Sequence, residues 1–222
     1  MKISKIVDNS DQTSYAAKLR RKRFSLFLEL LADVPKPVKI LDIGGTQRFW
    51  EVMGFINQPD VHITLLNLDR QEVNYDNFST VIGDATNLAG IKDQEFDAVF
   101  SNSVIEHVGD YQQQKQMAQE VQRVGRRYFV QTPNYFFPIE PHFLFLGFQW
   151  LPIPTRTWLL QHFNLGWIPR IPEVEEAKRV VESIRLLRKK EFVALFPGAT
   201  IYEEKFFGLT KSFIAYRGWC SR

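Results

Sequence analysis

The feature that most constrains this chain is a regular alternation of short apolar runs and longer helical ones between residues 38 and 133. "VKILDI", "VHITLLNLD", "STVIG", "FDAVFSNS" and "RYFVQTP" have the length and the β-branched or aromatic content of strands. Phe49–Phe55 reads as a short helix after the first of them. Tyr111–Val124, "YQQQKQMAQEVQRV", reads as a longer helix before the fifth. Strands alternating with helices predict a doubly wound α/β fold, with a mostly parallel sheet covered on both faces.

Upstream, Phe24, Phe27, Leu28 and Leu31 recur at i, i+3, i+4 and i+7, which predicts a helix over 15–34 stopped by "PKP". "KLRRKR", Lys18 to Arg23, is the polar part of that helix, either a solvated face or a cover over a ligand carboxylate or an acidic surface. Residues 1–14 are polar and expected to fray. Downstream, Glu173–Leu187 is predicted helical, and "ATIYEEKFFGLTKSFIAYRGW" closes the chain as two strands around "GLT". The stretch 135–172 fits neither pattern. Ten aromatic residues are interleaved there with prolines, too long and too apolar for a plain connection. It is expected to fold as a cap, serving as core over a sheet edge or as a lid over an apolar or aromatic acceptor. Shallow contact with a membrane surface is the lesser alternative. The expectation is one domain over 1–222, with the helix at 15–34 and the cap at 135–172.

At 222 residues and 45% hydrophobic content, the chain can bury a sizeable core. A net charge of +3 does not call for a nucleic-acid partner. The single cysteine, Cys220, excludes a disulfide within the chain. The four histidines show no ligand spacing with cysteine, so no metal site is expected. The N-terminus lacks the apolar core of a signal peptide, and no run reaches the roughly 18 apolar residues of a membrane span. A cytoplasmic setting is expected.

Ligands of open parallel sheets bind outside the carboxyl ends of the strands. The first strand ends in Asp42-Ile43-Gly44-Gly45-Thr46, where glycines let backbone approach a ligand. The second ends at Asp69, an acid suited to ribose hydroxyls. The third runs into "GDATNL", where Asp84 suits an exocyclic amine and Ala85 offers its backbone N–H. The fourth ends in "SNSVIEHV", with Asn102 and Ser103 at its lip. Each signal is weak singly, since Asp is also a common turn residue. In succession they follow the order a bound adenosine requires.

On "LDIGG", "NLD", "GDATNL" and "FDAVFSNSVIEHV", the chain resembles the class I, Rossmann-like S-adenosylmethionine-dependent methyltransferases that act on small molecules. The resemblance implies a seven-stranded sheet with an antiparallel last strand, and S-adenosyl-L-methionine as methyl donor, released as S-adenosyl-L-homocysteine. It implies that Asp42 anchors the glycine loop near the methionine amino group, with Gly44 and Gly45 along the methionine part. It further implies that Asp69 takes the ribose, Asp84 and Ala85 frame the adenine, and Asn102 and Ser103 lie beneath the methionyl portion. The glycine motif departs from the family pattern: the loop is one residue short, with Gln47 or Arg48 near the place of a third glycine.

Methyl transfer is a direct displacement that depends mostly on alignment. A base is required only where the acceptor must lose a proton. The candidates are His142 and Glu140 in "PIEPHF", and His107; Glu106 reads as a helix-turn residue. The expected partner is a small-molecule acceptor and not a nucleic acid, because no N-P-P-[YFW] motif follows the fourth strand. Two alternatives stay open: a non-catalytic relative that binds or regulates a partner, and an NAD(P)-dependent oxidoreductase, for which "GGTQRF" lacks the G-x-G-x-x-G spacing.

Overall fold

The computed structural model describes residues 15–219; the reading of residues 1–14, and Cys220, lie outside them. The strands that carry the alternation are β1 (Val38–Ile43), β2 (Val61–Asn67), β3 (Phe78–Ile82), β4 (Ala98–Asn102) and β5 (Tyr128–Pro133). A short hairpin, β6 (Ile139–Glu140) and β7 (Phe145–Leu146), follows, and β8 (Thr200–Phe206) and β9 (Leu209–Arg217) close the chain. The main sheet has seven strands in the order β3-β2-β1-β4-β5-β9-β8. β1 to β5 pair in parallel, and β9, the last strand, runs antiparallel between β5 and β8. Strand order reverses between β1 and β4, so the crevice expected for a ligand opens at their carboxyl ends.

Both faces of the sheet are covered, which is why β4 and β5 are apolar on both sides. Helices α1 (Tyr15–Leu31) and α2 (Gln47–Val52) bury Phe24, Phe27 and Trp50 against Phe100 and Phe129. Helices α3 (Tyr111–Val124) and α6 (Lys189–Leu195) bury Met117, Val121 and Phe192 against Val99 and Val130. Neighbouring residues of one strand thus face opposite cores, as the two-residue period of a strand requires.

Several expected boundaries moved. The first helix ends at Leu31, and the second begins at Gln47 because Thr46 caps it, accepting from the Phe49 N–H. The helix expected over Glu173–Leu187 is α5 (Val174–Glu182). Beyond Ser183 the backbone is drawn into tertiary bonds: Arg185 N–H donates to the Glu106 carbonyl, and the Gln114 amide donates to the Arg185 carbonyl. The closing turn is Phe207-Gly208, with φ of 47° and 81°, one step ahead of "GLT". The 135–172 stretch contains the β6–β7 hairpin and helix α4 (Ile153–His162). Together with α5 it has a small core of its own, formed by Phe143, Phe148, Leu160, Ala177 and Val181. Phe136, Trp150, Trp158, Phe163 and Trp167 stay exposed. No helix among the described residues is long and apolar enough to cross a membrane.

Candidate active site

The glycine turn after β1 is held together by its own side chains. Asp42 is 1% exposed and accepts a hydrogen bond from the Trp50 indole at 2.6 Å. Burial pushes its pKa up to about 7, against the pull of that hydrogen bond. Its carboxylate occupies the space of a side chain at position 45: a Cβ there would lie 1.6 Å from Oδ2. Gly44 adopts φ +72° over Val104. The turn is tied to β2 through Gly44 N–H to the Leu66 carbonyl, and through the Asn67 amide to the Gly45 carbonyl.

Gln47 and Arg48, which the family pattern left without a role, have distinct ones. Gln47 is buried, donates to Glu51, and accepts from the Asn74 N–H, tying the turn to the segment after β2. Arg48 is exposed and pairs with Glu51.

The other expected donor contacts differ in how open they are. Asp69 lies exposed two residues beyond β2. Asp84 is also exposed, but one oxygen already accepts from the N–H and hydroxyl of Thr86, both at 2.8 Å, as a turn Asp does. Ala85 is buried beside it. Ser103 stands at φ +58°, a conformation that L residues avoid, and its hydroxyl donates to Gln131. Asn102 accepts from Arg23. Arg23 also donates to Gln131 and makes a two-pronged pair with Glu204, whose other contact is the Ser212 hydroxyl. Part of "KLRRKR" is therefore a buried brace across the ends of β4, β5 and β8. Sequence reading missed it, because its four members come from four distant segments.

A second group gathers at the carboxyl ends of β4 and β5. Glu106 and His107 lie on the 3-10 turn Ile105–His107 after β4. Glu106 is fully buried; one of its oxygens accepts from the Thr132 hydroxyl at the end of β5. His142 comes from the cap, and its ring meets that of His107 edge to face at 4.7 Å. Glu140, also buried, accepts from the N–H groups of His142 and Phe143 and from Nδ1 of His142, each at 2.7 Å.

These contacts set the charges. Burial raises the Glu106 pKa to about 7. His107 is open on one side, yet the protein under its ring and, second, the charge of His142 push its pKa down to about 4. Burial works against a charge on His142, but the Glu140 hydrogen bond and the Glu140 and Glu106 charges outweigh it, so its pKa stands above the ordinary value. All three expected catalytic candidates are thus in one place. Glu106, read as a turn residue, belongs with them.

Beside this group, a cavity of about 480 Å³ is lined by Tyr135, Glu140, Phe143, Arg156, Arg185 and Arg188, among others. Arg185 pairs with Glu191 and donates to Gln114. Arg188 lies over the Tyr135 ring, and Nε of Arg156 is buried without a hydrogen-bond partner among the described residues.

Residues 41–128 match the family model described as "Methyltransferase domain". Over that stretch, and in the order of its sheet, the chain resembles the class I, Rossmann-like methyltransferases. The donor of that family is S-adenosyl-L-methionine. The match spans the glycine turn, Asp69, Asp84, Asn102 and Glu106-His107, and stops before the cap that supplies Glu140 and His142. None of the curated proteins matches this chain by sequence.

Among solved structures, it resembles a SAM-dependent methyltransferase from Aquifex aeolicus, with 11% identity, 90% of this chain and 96% of that one covered, and a TM-score of 0.51. It resembles the N-methyltransferase NodS from Bradyrhizobium japonicum at 10% identity, covering 90% and 95%, with a TM-score of 0.50. A protein described as a Zn-dependent alcohol dehydrogenase from Rhodobacter sphaeroides matches at 13% identity, covering 88% and 87%, with a TM-score of 0.56. At these identities the likeness is one of fold. The chain spans only 61%, 49% and 58% of the length of the first structures it matches.

Proposed function

We propose that this chain transfers the methyl group of S-adenosyl-L-methionine to a small-molecule acceptor, with His142 taking the acceptor's proton. The observation that carries this reading is the placement of the His142–Glu140 pair at the same sheet edge as the glycine turn and Ser103. Asp42 braces the turn, Asp69 receives the ribose, and Asp84 with Ala85 faces the adenine. The donor supplies an electrophilic methyl group and keeps the electron pair of the broken C–S bond on sulfur. The acceptor's lone pair forms the new bond to carbon. Glu140 fixes the tautomer of His142 through Nδ1, which leaves Nε2 to accept the proton. The cavity beside Glu140 combines aromatic rings with arginines, which favours an acceptor that joins an apolar or aromatic part to a carboxylate or phosphate.

Calorimetric titration tests the donor. S-adenosylmethionine and S-adenosylhomocysteine are expected to bind and NADH is not; heat with NADH alone would overturn the reading. Asp69→Ala is expected to weaken the donor by about tenfold or more, as loss of a charge-assisted hydrogen bond does. With methyl-labelled donor and a mixture of anionic aromatic acids as acceptors, His142→Ala is expected to lower label transfer about 100-fold. Its donor affinity should not change.

A further inference from the structure

We propose that Glu106, His107 and His142 bind one divalent transition-metal ion of the kind that takes imidazole and carboxylate ligands, such as Zn²⁺. This goes beyond the methyl-transfer reading and does not depend on it. One ligand atom from each of the three residues lies within 4.8 Å of the others. Ligands of one tetrahedral Zn²⁺ ion stand about 3.4 Å apart. The set therefore has to close by up to about 1.4 Å, a movement open to the exposed His107 ring.

Three features separate this group from a chance meeting of side chains. Oε1 of Glu106 is buried and has no hydrogen-bond partner among the described residues, although Oε2 is satisfied by Thr132. A buried carboxylate oxygen left bare is costly, and a cation offers the missing contact. The second feature is the outer support of His142. Its Nδ1 is engaged by Glu140, whose other oxygen is held by two backbone N–H groups, so Nε2 carries the lone pair and its direction is fixed. A carboxylate behind a histidine is the usual arrangement around metal-binding imidazoles. The third is the ligand set, two imidazoles and one carboxylate, which leaves coordination positions open for an outside molecule. No metal-ligand spacing is visible along the chain, because His142 is brought to the Glu106-His107 pair by the cap. An acceptor hydroxyl that completes the coordination loses its proton more readily, the task that falls to His142 in the metal-free chain.

The test uses the full chain stripped with a chelator, titrated with Zn²⁺ by calorimetry and with Co²⁺ by visible absorption. One equivalent is expected to bind. His107→Ala and His142→Ala are each expected to weaken binding by about 100-fold, and Glu140→Gln by about 10- to 100-fold. Glu106→Gln keeps the shape of the buried side chain, and its circular dichroism checks the fold; the same loss is expected. His107 is exposed, so its variant keeps the inference testable if the buried ones misfold. Zn²⁺ binding that is absent from the folded chain, unchanged in His107→Ala, or lost in Cys220→Ser would overturn the site. Donor titration run in parallel keeps the two readings apart. Failed donor binding with intact Zn²⁺ binding would count against methyl transfer and leave the metal site standing.

Discussion

The glycine turn and the histidine group occupy the same edge of the sheet but are built on opposite plans. Around the turn, the polar side chains are bonded within the protein: Asp42 to Trp50, Gln47 to Glu51 and Asn74, Asn67 to Gly45. In the histidine group, Glu140 is satisfied three times over, while one oxygen of Glu106 has no hydrogen-bond partner among the described residues. The first region is fixed before any ligand arrives. The second keeps bonding capacity in reserve. A crevice that holds one ligand in a fixed pose and admits another needs both kinds of wall, since rigid supports position a site and unspent polar groups give it chemistry.

The largest expected effect probes the internal balance of the turn. Asp42 keeps its proton in the native state up to about pH 7, whereas in the unfolded chain it ionises near 3.8. Between these values the native state holds more protons, so stability falls as pH rises from about 4 to about 7. At 1.36 kcal/mol per pH unit the loss reaches up to about 4 kcal/mol. Urea melts of Asp42→Asn against pH should show a shallower slope than the parent, with the share of buried Glu106 remaining; a slope equal to the parent's would show that the Asp42 carboxyl is not neutral in the fold.

Gly45→Ala comes next. The added methyl displaces the Asp42 carboxylate from Trp50, at an expected cost of about 3 kcal/mol. A melt indistinguishable from the parent would show the turn to be looser than its contacts imply. The smallest effect belongs to the other region. His107→Ala removes an exposed ring whose contact is with His142, and should change stability by less than about 0.5 kcal/mol. A large loss there would mean that the histidine group is scaffold, and the contrast between the regions would fall.

Much of the framework was legible because its signals are local. The helix over Tyr111–Val124 was read to the residue: Asp110 and Gln113 form a capping box at its start, and Met117, Ala118, Val121 and Val124 mark its buried face. The five parallel strands announce themselves by length and by apolar residues on both faces. Helix α5 was overrun because its apolar period continues past Ser183, while the bonds that end it come from Glu106 and Gln114, far away in the chain. Helix α6 was missed, being a seven-residue helix whose Phe192 and Leu195 draw their stability from the sheet rather than from propensity. In the candidate site, the donor-side residues sit at strand ends and could be read one by one. Glu106 could not, because its burial and its bond to Thr132 exist only once β4 and β5 lie side by side.

By itself, the sequence determined the order of the elements, the two-sided sheet and the glycine turn at the end of its first strand. These follow from periodicity and from backbone preferences that act over a few residues. Only the tertiary structure decided that Arg23 braces Asn102, Gln131 and Glu204, and that the cap delivers His142 to Glu106 and His107. Such contacts join residues tens to hundreds of positions apart. Their energies depend on burial and direction, which exist only when the sheet has brought the strand ends together.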